Sequence, residues 1–129
     1  MIDRDNIKKD PTSGEYWIPV LDGVGVYFAQ SKIEPNNEAL GLVNSTIDIL
    51  ETLHIEAIKY INIWVDRTKD GVGTDNDLHS VCLDVEGGYT TIEIHFYDDD
   101  ESLWWVRFAN PSERRIGGYW PQEFGRKQM

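Results

Sequence analysis

Residues Asn37 to Arg67 form the one long segment of this chain with a single unbroken period. On a helical wheel Leu40, Leu42, Val43, Ile47, Ile49, Leu50, Leu53, His54, Ala57, Ile58, Tyr60, Ile61, Trp64 and Val65 fall on one half. Asn44, Ser45, Asp48, Glu51, Thr52, Glu56, Lys59, Asn62 and Asp66 fall on the other, with only Ile55 and Ile63 out of place. Tyr60 to Val65 is rich in sheet-favouring side chains, but the wheel continues without a phase break through Glu56 and Asn62, so a strand there is rejected. Pro35 disfavours helix at Glu34, while Asn36 or Asn37 can cap the first turn with a side-chain oxygen. Gly41 costs about 1 kcal/mol inside such a helix relative to alanine, which points to a close approach or a frayed first turn. One apolar stripe of this length needs a comparably long apolar surface to cover.

The flanking segments supply it with period two. Tyr16 to Leu21 and Val24 to Ala29 surround Asp22-Gly23, the favoured type I′ hairpin turn. That turn pairs Leu21 with Val24, Pro19 with Val26 and Trp17 with Phe28, and Pro19 suggests an edge strand. Beyond a glycine- and aspartate-rich loop at 69–78, His79 to Glu86 and Tyr89 to Tyr97 meet at Gly87-Gly88, which sets Leu83 against Ile92 and Val81 against Ile94. Leu103 to Ala109 follows a loop at Asp99 to Glu101, with Phe96 against Trp104, Ile94 against Val106 and Ile92 against Phe108. Val81, Leu83, Val85, Ile92, Ile94, Phe96, Trp104, Val106 and Phe108 then share one face, the natural partner of the helix stripe. The expected fold is α+β: one long helix packed on an antiparallel sheet, in the order β-β-α-β-β-β and two layers deep. Residues 1–14 lack any period and read as a flexible N-terminal arm, and 15–129 as a single α+β domain. From Pro111 onward the chain reads as a tail packed by Ile116, Tyr119, Trp120 and Phe124.

The same registers define the opposite face of the meander. Ser80, Cys82 and Asp84 lie beside Thr91, Glu93, His95 and Tyr97, followed by Leu103, Trp105 and Arg107, with Glu93 facing Arg107 and His95 facing Trp105. Leu103, Trp105 and Tyr97 make an apolar island rimmed by charge, the composition of a protein contact surface. Alternatively, the N-terminal hairpin or the C-terminal tail covers this face and makes its aromatics ordinary core. Cys82 is diagonal to His95 with Glu93 between them, so a nucleophilic arrangement can be drawn. Mid-sheet amides are committed to the ladder, however, and leave no oxyanion donors, so no catalytic residues are assigned. His54, in the apolar half of the helix, reads as a core histidine. Asp75-x-Asp77-x-His79 alternates ligands as calcium loops do but lacks the required glycine and glutamate, and neither metal nor cofactor is expected.

The 129 residues carry 23 acidic and 12 basic side chains, a net charge of −11. This argues against nucleic acid or an anionic membrane as a partner held by simple attraction and favours a basic protein, although acidity also serves solubility alone. Cys82 is the only cysteine, no apolar run is long enough for a bilayer, and the first ten residues are polar, so a cytoplasmic location is expected. Asp98-Asp99-Asp100-Glu101 reads either as a solvated turn or as part of a negative rim facing a basic partner.

In size, charge, α+β layout and the stretch Leu103-Trp104-Trp105-Val106-Arg107 beside an acidic loop, the chain resembles the small acidic immunity proteins of bacterial polymorphic-toxin and contact-dependent inhibition systems. The resemblance implies a cytoplasmic protein that binds the toxic domain of a cognate effector, often a nuclease, and blocks its active site or an essential surface. Asp98, Asp99, Asp100, Glu101, Trp105 and Arg107 are then the first choices for contact residues, with Glu93, His95 and Tyr97 on the same face. The alternative is a small non-enzymatic ligand-binding or regulatory domain, with a homodimer through the Trp105 face as one form of it.

Overall fold

A computed structural model describes residues 2–21, 23–28, 34–65, 77–86, 89–99, 102–109 and 119–128. The periodic segment is helix α1, Asn37–Trp64, capped by Asn36, whose side-chain oxygen accepts from the Ala39 N–H at 2.9 Å. Its buried positions Leu40, Val43, Thr46, Leu50, Leu53, Ala57 and Ile61 recur every three or four residues, as one stripe requires. Thr46 satisfies its hydroxyl within the helix by donating to the Leu42 carbonyl. The two wheel outliers, Ile55 and Ile63, are exposed, and so is Trp64 at the helix end. Nothing lies within 4 Å of where a side chain at Gly41 would project, so the expected close approach is absent there.

Seven strands form one sheet in chain order: β1 Lys8–Lys9, β2 Tyr16–Leu21, β3 Val24–Phe28, β4 Leu78–Glu86, β5 Tyr89–Asp99, β6 Ser102–Ala109 and β7 Trp120–Gln128. The α+β layout is as expected, with β1 and β7 in addition. Six strand spacings of about 4.8 Å give a sheet roughly 30 Å wide, and 28 helical residues at about 1.5 Å each reach some 42 Å. One helix is therefore long enough to span the width of the sheet. Towards its start Asn44 bonds Ile2, and towards its end Tyr60 meets Phe124 of β7 edge-to-face at 5.8 Å.

The β4–β5–β6 meander has the expected registers from Ser80 to Glu86 and from Thr91 to Tyr97, including Glu93 with Arg107 and His95 with Trp105, and departs from them at its ends, where Leu78 meets Phe96 and Asp99 meets Ser102. Its apolar face is buried throughout the side chains described, from Val81 and Leu83 to Trp104, Val106 and Phe108. Each such side chain contributes about 1.5–3 kcal/mol by leaving water.

Three features of the strand pairing differ most from the sequence expectation. First, the N-terminal hairpin pairs Leu21 with Val24 as expected, but a bulge before Leu21 shifts the rest, so that Ile18 meets Val26, Pro19 meets Gly25 and Trp17 meets Tyr27. A shift of one residue exchanges faces: Ile18 and Val26 enter the core at 0 % exposure, while Trp17 and Tyr27 stack at 5.8 Å and 15° on the other side. Gly23 carries the turn at φ 74°, and Asp22 lies outside the described residues. Second, β3 pairs with β4 in parallel, Val26 beside Val81 and Phe28 beside Leu83, so the sheet is not purely antiparallel. A parallel neighbour needs a long crossover, and α1 is that crossover. Third, the expected tail contributes β7, antiparallel to β6; residues 110–118, including Ile116, lie outside the described residues, as do Gly87-Gly88 and 66–76.

The first fourteen residues, expected as a flexible arm, are tied to the domain at specific points. Ile2 exchanges two backbone bonds with the Asn44 amide, at 2.9 and 3.0 Å, and Arg4 donates to the Pro35 carbonyl and to Asn37 Oδ1. β1 then joins β2 at Tyr16 and Trp17 only, which leaves Pro19 on a stretch of β2 without an outer partner among the described residues.

Candidate functional site

Because one helix covers one face, the opposite face of the sheet has no second layer among the described residues. It is built by strand alternation. Core-facing positions run Ile18, Val26, Val81, Ile94, Val106 and Phe124 across six strands, so the flanking positions must point outward. One outward row reads Trp17, Tyr27, Cys82, Glu93, Arg107 and Glu123. The next reads Pro19, Gly25, Ser80, His95, Trp105 and Gly125.

Both rows are rigidly held. Arg107 donates through Nε and Nη2 to Glu93 Oε2 at 3.0 and 2.8 Å, and through Nη1 to Glu123 Oε1. His95 Nε2 meets Glu93 Oε1 at 3.2 Å. With the His95 hydrogen bond first and Arg107 after it, the Glu93 carboxyl is lowered to about 2 despite partial burial. The Arg107 guanidinium also lies 5.4 Å from the centre of the Trp105 ring. At each end of the second row a tryptophan packs on a glycine: Trp17 on Gly25 and Trp105 on Gly125. In the adjoining row a bulge at His79 adds that ring to the face, where it meets Tyr97 edge-to-face at 5.2 Å. Burial, then His95 and Lys127, lower the His79 pKa.

Glu93, His95, Tyr97, Trp105 and Arg107 are thus assembled on one face as expected. Asp98 is not. Strand alternation carried one residue past Tyr97 places Asp98 on the core side with Ile94 and Phe96, where it is 0 % exposed and paired with Arg126 Nη2 at 2.6 Å, with Ser102 Oγ donating to it at 3.0 Å. A solvated rim position is therefore wrong for this residue: its charge is spent inside the fold. Asp99 pairs with Ser102 through the backbone, its side chain lies outside what is described, and Asp100 and Glu101 lie outside the described residues. Asp66, Asp70, Asp75 and Asp77 are the acidic residues that could extend such a rim, and of these only Asp77 is among the described residues.

Sequence reasoning missed Trp17, Tyr27, Glu123, Gly125 and His79 on this face. The hairpin bulge hid the first two, and β7 was not recognised. The residual signal was the presence of glycine at the two places where a bulky indole lies in the neighbouring strand.

Cys82 opens on the same face, but burial first, then Glu93, Asp84 and Glu15, push its thiol up to about 11. It is protonated at neutral pH and unsuited to attack. No group of three or more His, Cys, Asp or Glu side chains could hold a metal ion among the described residues. His54 is half-buried beside Phe96 at 6.0 Å and lines an open cleft of about 390 Å³ with Ile47, Leu50, Glu51 and Leu78. No helix among the described residues is long and apolar enough to cross a membrane.

Comparison with protein-family models, with curated proteins and with solved structures returns no match for this chain.

Proposed function

We propose that this protein is an immunity protein, a non-enzymatic binder that neutralises a cognate bacterial toxin domain with the outer face of its sheet. The observation that carries this reading is that face: without a covering layer among the described residues, yet preorganised, with Trp17, Tyr27 and Trp105 packed in place and Glu93, His95 and Arg107 locked to one another. Side chains fixed before association lose little entropy on binding, and aromatic and arginine anchors are the groups that dominate contact energies. The net charge of −11 favours a basic partner. A nuclease domain must carry positive charge to hold phosphates, so it belongs to that class.

The test is co-expression with whichever protein the adjacent open reading frame encodes, assayed for toxicity alone and for rescue, followed by co-purification. The expected result is protection of the host cell and a complex that survives size-exclusion chromatography. Tyr27→Ala combined with Glu123→Lys, both on exposed positions of the face, should weaken both. A folded double variant that protects fully removes this face from the proposal, and absence of any complex removes the immunity reading.

A second reading, a small ligand-binding or regulatory domain, is favoured by the 390 Å³ cleft at His54. Thermal stabilisation by a small molecule, abolished by Leu50→Phe, is the result that would select it.

A further inference from the structure

The outer face is not uniformly flat. Between β4, β5 and β6 it holds a depression of about 220 Å³ lined by Cys82, Asp84, Thr91, Glu93 and Arg107. We propose that this depression seats a single cationic side chain, a lysine or an arginine, presented by the protein that docks on this face. The inference rests on the binding role proposed above and names the chemistry the partner must bring.

The charges around the depression favour a cation. Arg107 is its only basic lining group, and each of its three nitrogens already donates to Glu93 or Glu123, so that pairing leaves Asp84 as the lining carboxylate to meet an incoming charge. Asp84 makes no ion pair among the described residues, and Thr91 offers a hydroxyl acceptor beside it in the ladder. Glu93 stays ionised far below neutral pH, because its folded-state value is about 2. The Cys82 thiol shares this surrounding: after burial, Glu93, Asp84 and Glu15 raise it, and Arg107 alone lowers it.

An aromatic wall adjoins this negative floor. Tyr27 is the register partner of Cys82 on β3, 37 % exposed and stacked on Trp17, which itself packs on Gly25. Carboxylates with an adjacent fixed ring form the environment in which ammonium and guanidinium groups are held. A bare divalent ion fits poorly, because the thiol is protonated and no metal-binding group of three ligands exists among the described residues. The volume suits one side chain rather than a peptide segment. Lys8 lies beyond Trp17 in the same row, on the far side of the aromatic pair.

The intact protein, labelled with ¹⁵N, is titrated with N-acetyl-arginine amide, with N-acetyl-norleucine amide as the uncharged control. Saturable shifts at the amides of Cys82, Asp84, Thr91 and Glu93 with the arginine probe alone are expected. Asp84→Asn should weaken them about two- to fivefold, the range for one partly exposed ion pair, while Asp84→Glu restores them and Asp48→Asn on the helix changes nothing. Shifts spread evenly over the acidic surface, or unaffected by Asp84→Asn, overturn the proposal. The outcome is separable from the immunity reading. Arginine seated here in a protein that binds no toxin domain keeps this site and discards that function. A toxin complex indifferent to Asp84→Asn, with no probe binding, does the reverse.

Discussion

The indole of Trp105 occupies the space that a side chain at Gly125 would need: a Cβ there would lie 2.5 Å from Cζ2 and 2.7 Å from Nε1. The two residues are register partners on β6 and β7, so the glycine is what admits the indole on this face. Gly125→Ala should therefore destabilise the protein by about 1–3 kcal/mol through overpacking. Urea unfolding measures the loss, and tryptophan emission should change with it. Trp105→Val in the same chain should recover part of the stability, and a purely additive double mutant would show that the contact is not the cause.

Asp98 and Arg126 make a second test. The carboxylate is fully buried and the guanidinium half-exposed, 5.9 Å from the centre of the Trp104 ring. Arg126→Met removes the cation nearest a buried charge and should cost about 3 kcal/mol. Asp98→Asn keeps the shape and an acceptor for Ser102 while removing the charge, and should cost less. Equilibrium unfolding of both single variants and the double variant gives the coupling, and a coupling near zero would show that the pair merely sits together.

Glu93 sets a pH dependence whose sign is fixed. Its carboxyl goes from about 4.5 in the unfolded chain to about 2 in the fold, so the folded state favours the ionised form. The associated stability is fully present above the unfolded value and is lost as pH falls through the folded one. It amounts to about 2–3 kcal/mol for a carboxylate this enclosed. Urea titrations from pH 7 down to pH 2 should show Glu93→Gln with a shallower acid dependence than the parent. Parallel curves would assign the acid sensitivity to other carboxylates.

Gly41 offers a gain. Its Cβ would meet open space on an exposed helical turn, so Gly41→Ala should stabilise the protein by roughly 0.5–1 kcal/mol. A loss on denaturant unfolding would mean that this turn does not hold helical geometry.

The parts of the fold that could be read from sequence are those with local, redundant signals. In the meander, apolar alternation and short connections agree, and each register there is over-determined. β7 lacks that redundancy. Of its side chains only Phe124 joins the packed side as a partly buried apolar residue beside Trp104 and Tyr60, and Pro121 and Gly125 weaken any strand propensity. The bulge before Leu21 inverts the parity of the hairpin and so brings Ile18 inward, whereas Asp98 follows the unbroken alternation of β5 and is hidden only because an acidic run reads as a solvated turn. The partner that makes Asp98 tolerable inside comes from β7, so missing that strand concealed the burial as well. The parallel junction of β3 with β4 leaves no local trace, because the residues that meet are separated by the entire helix.

That junction also orders assembly. Every other pair of neighbouring strands joins segments adjacent in the chain, so those pairs close small loops, whereas Gly25 and Ser80 are separated by the whole of α1. Loop closure makes the β3–β4 seam the costliest strand pairing in the sheet, so the expected order is the meander and its helix first and the N-terminal hairpin last. The seam is thus where two nascent chains at high concentration could trade hairpins, each completing the other's sheet with the same set of contacts.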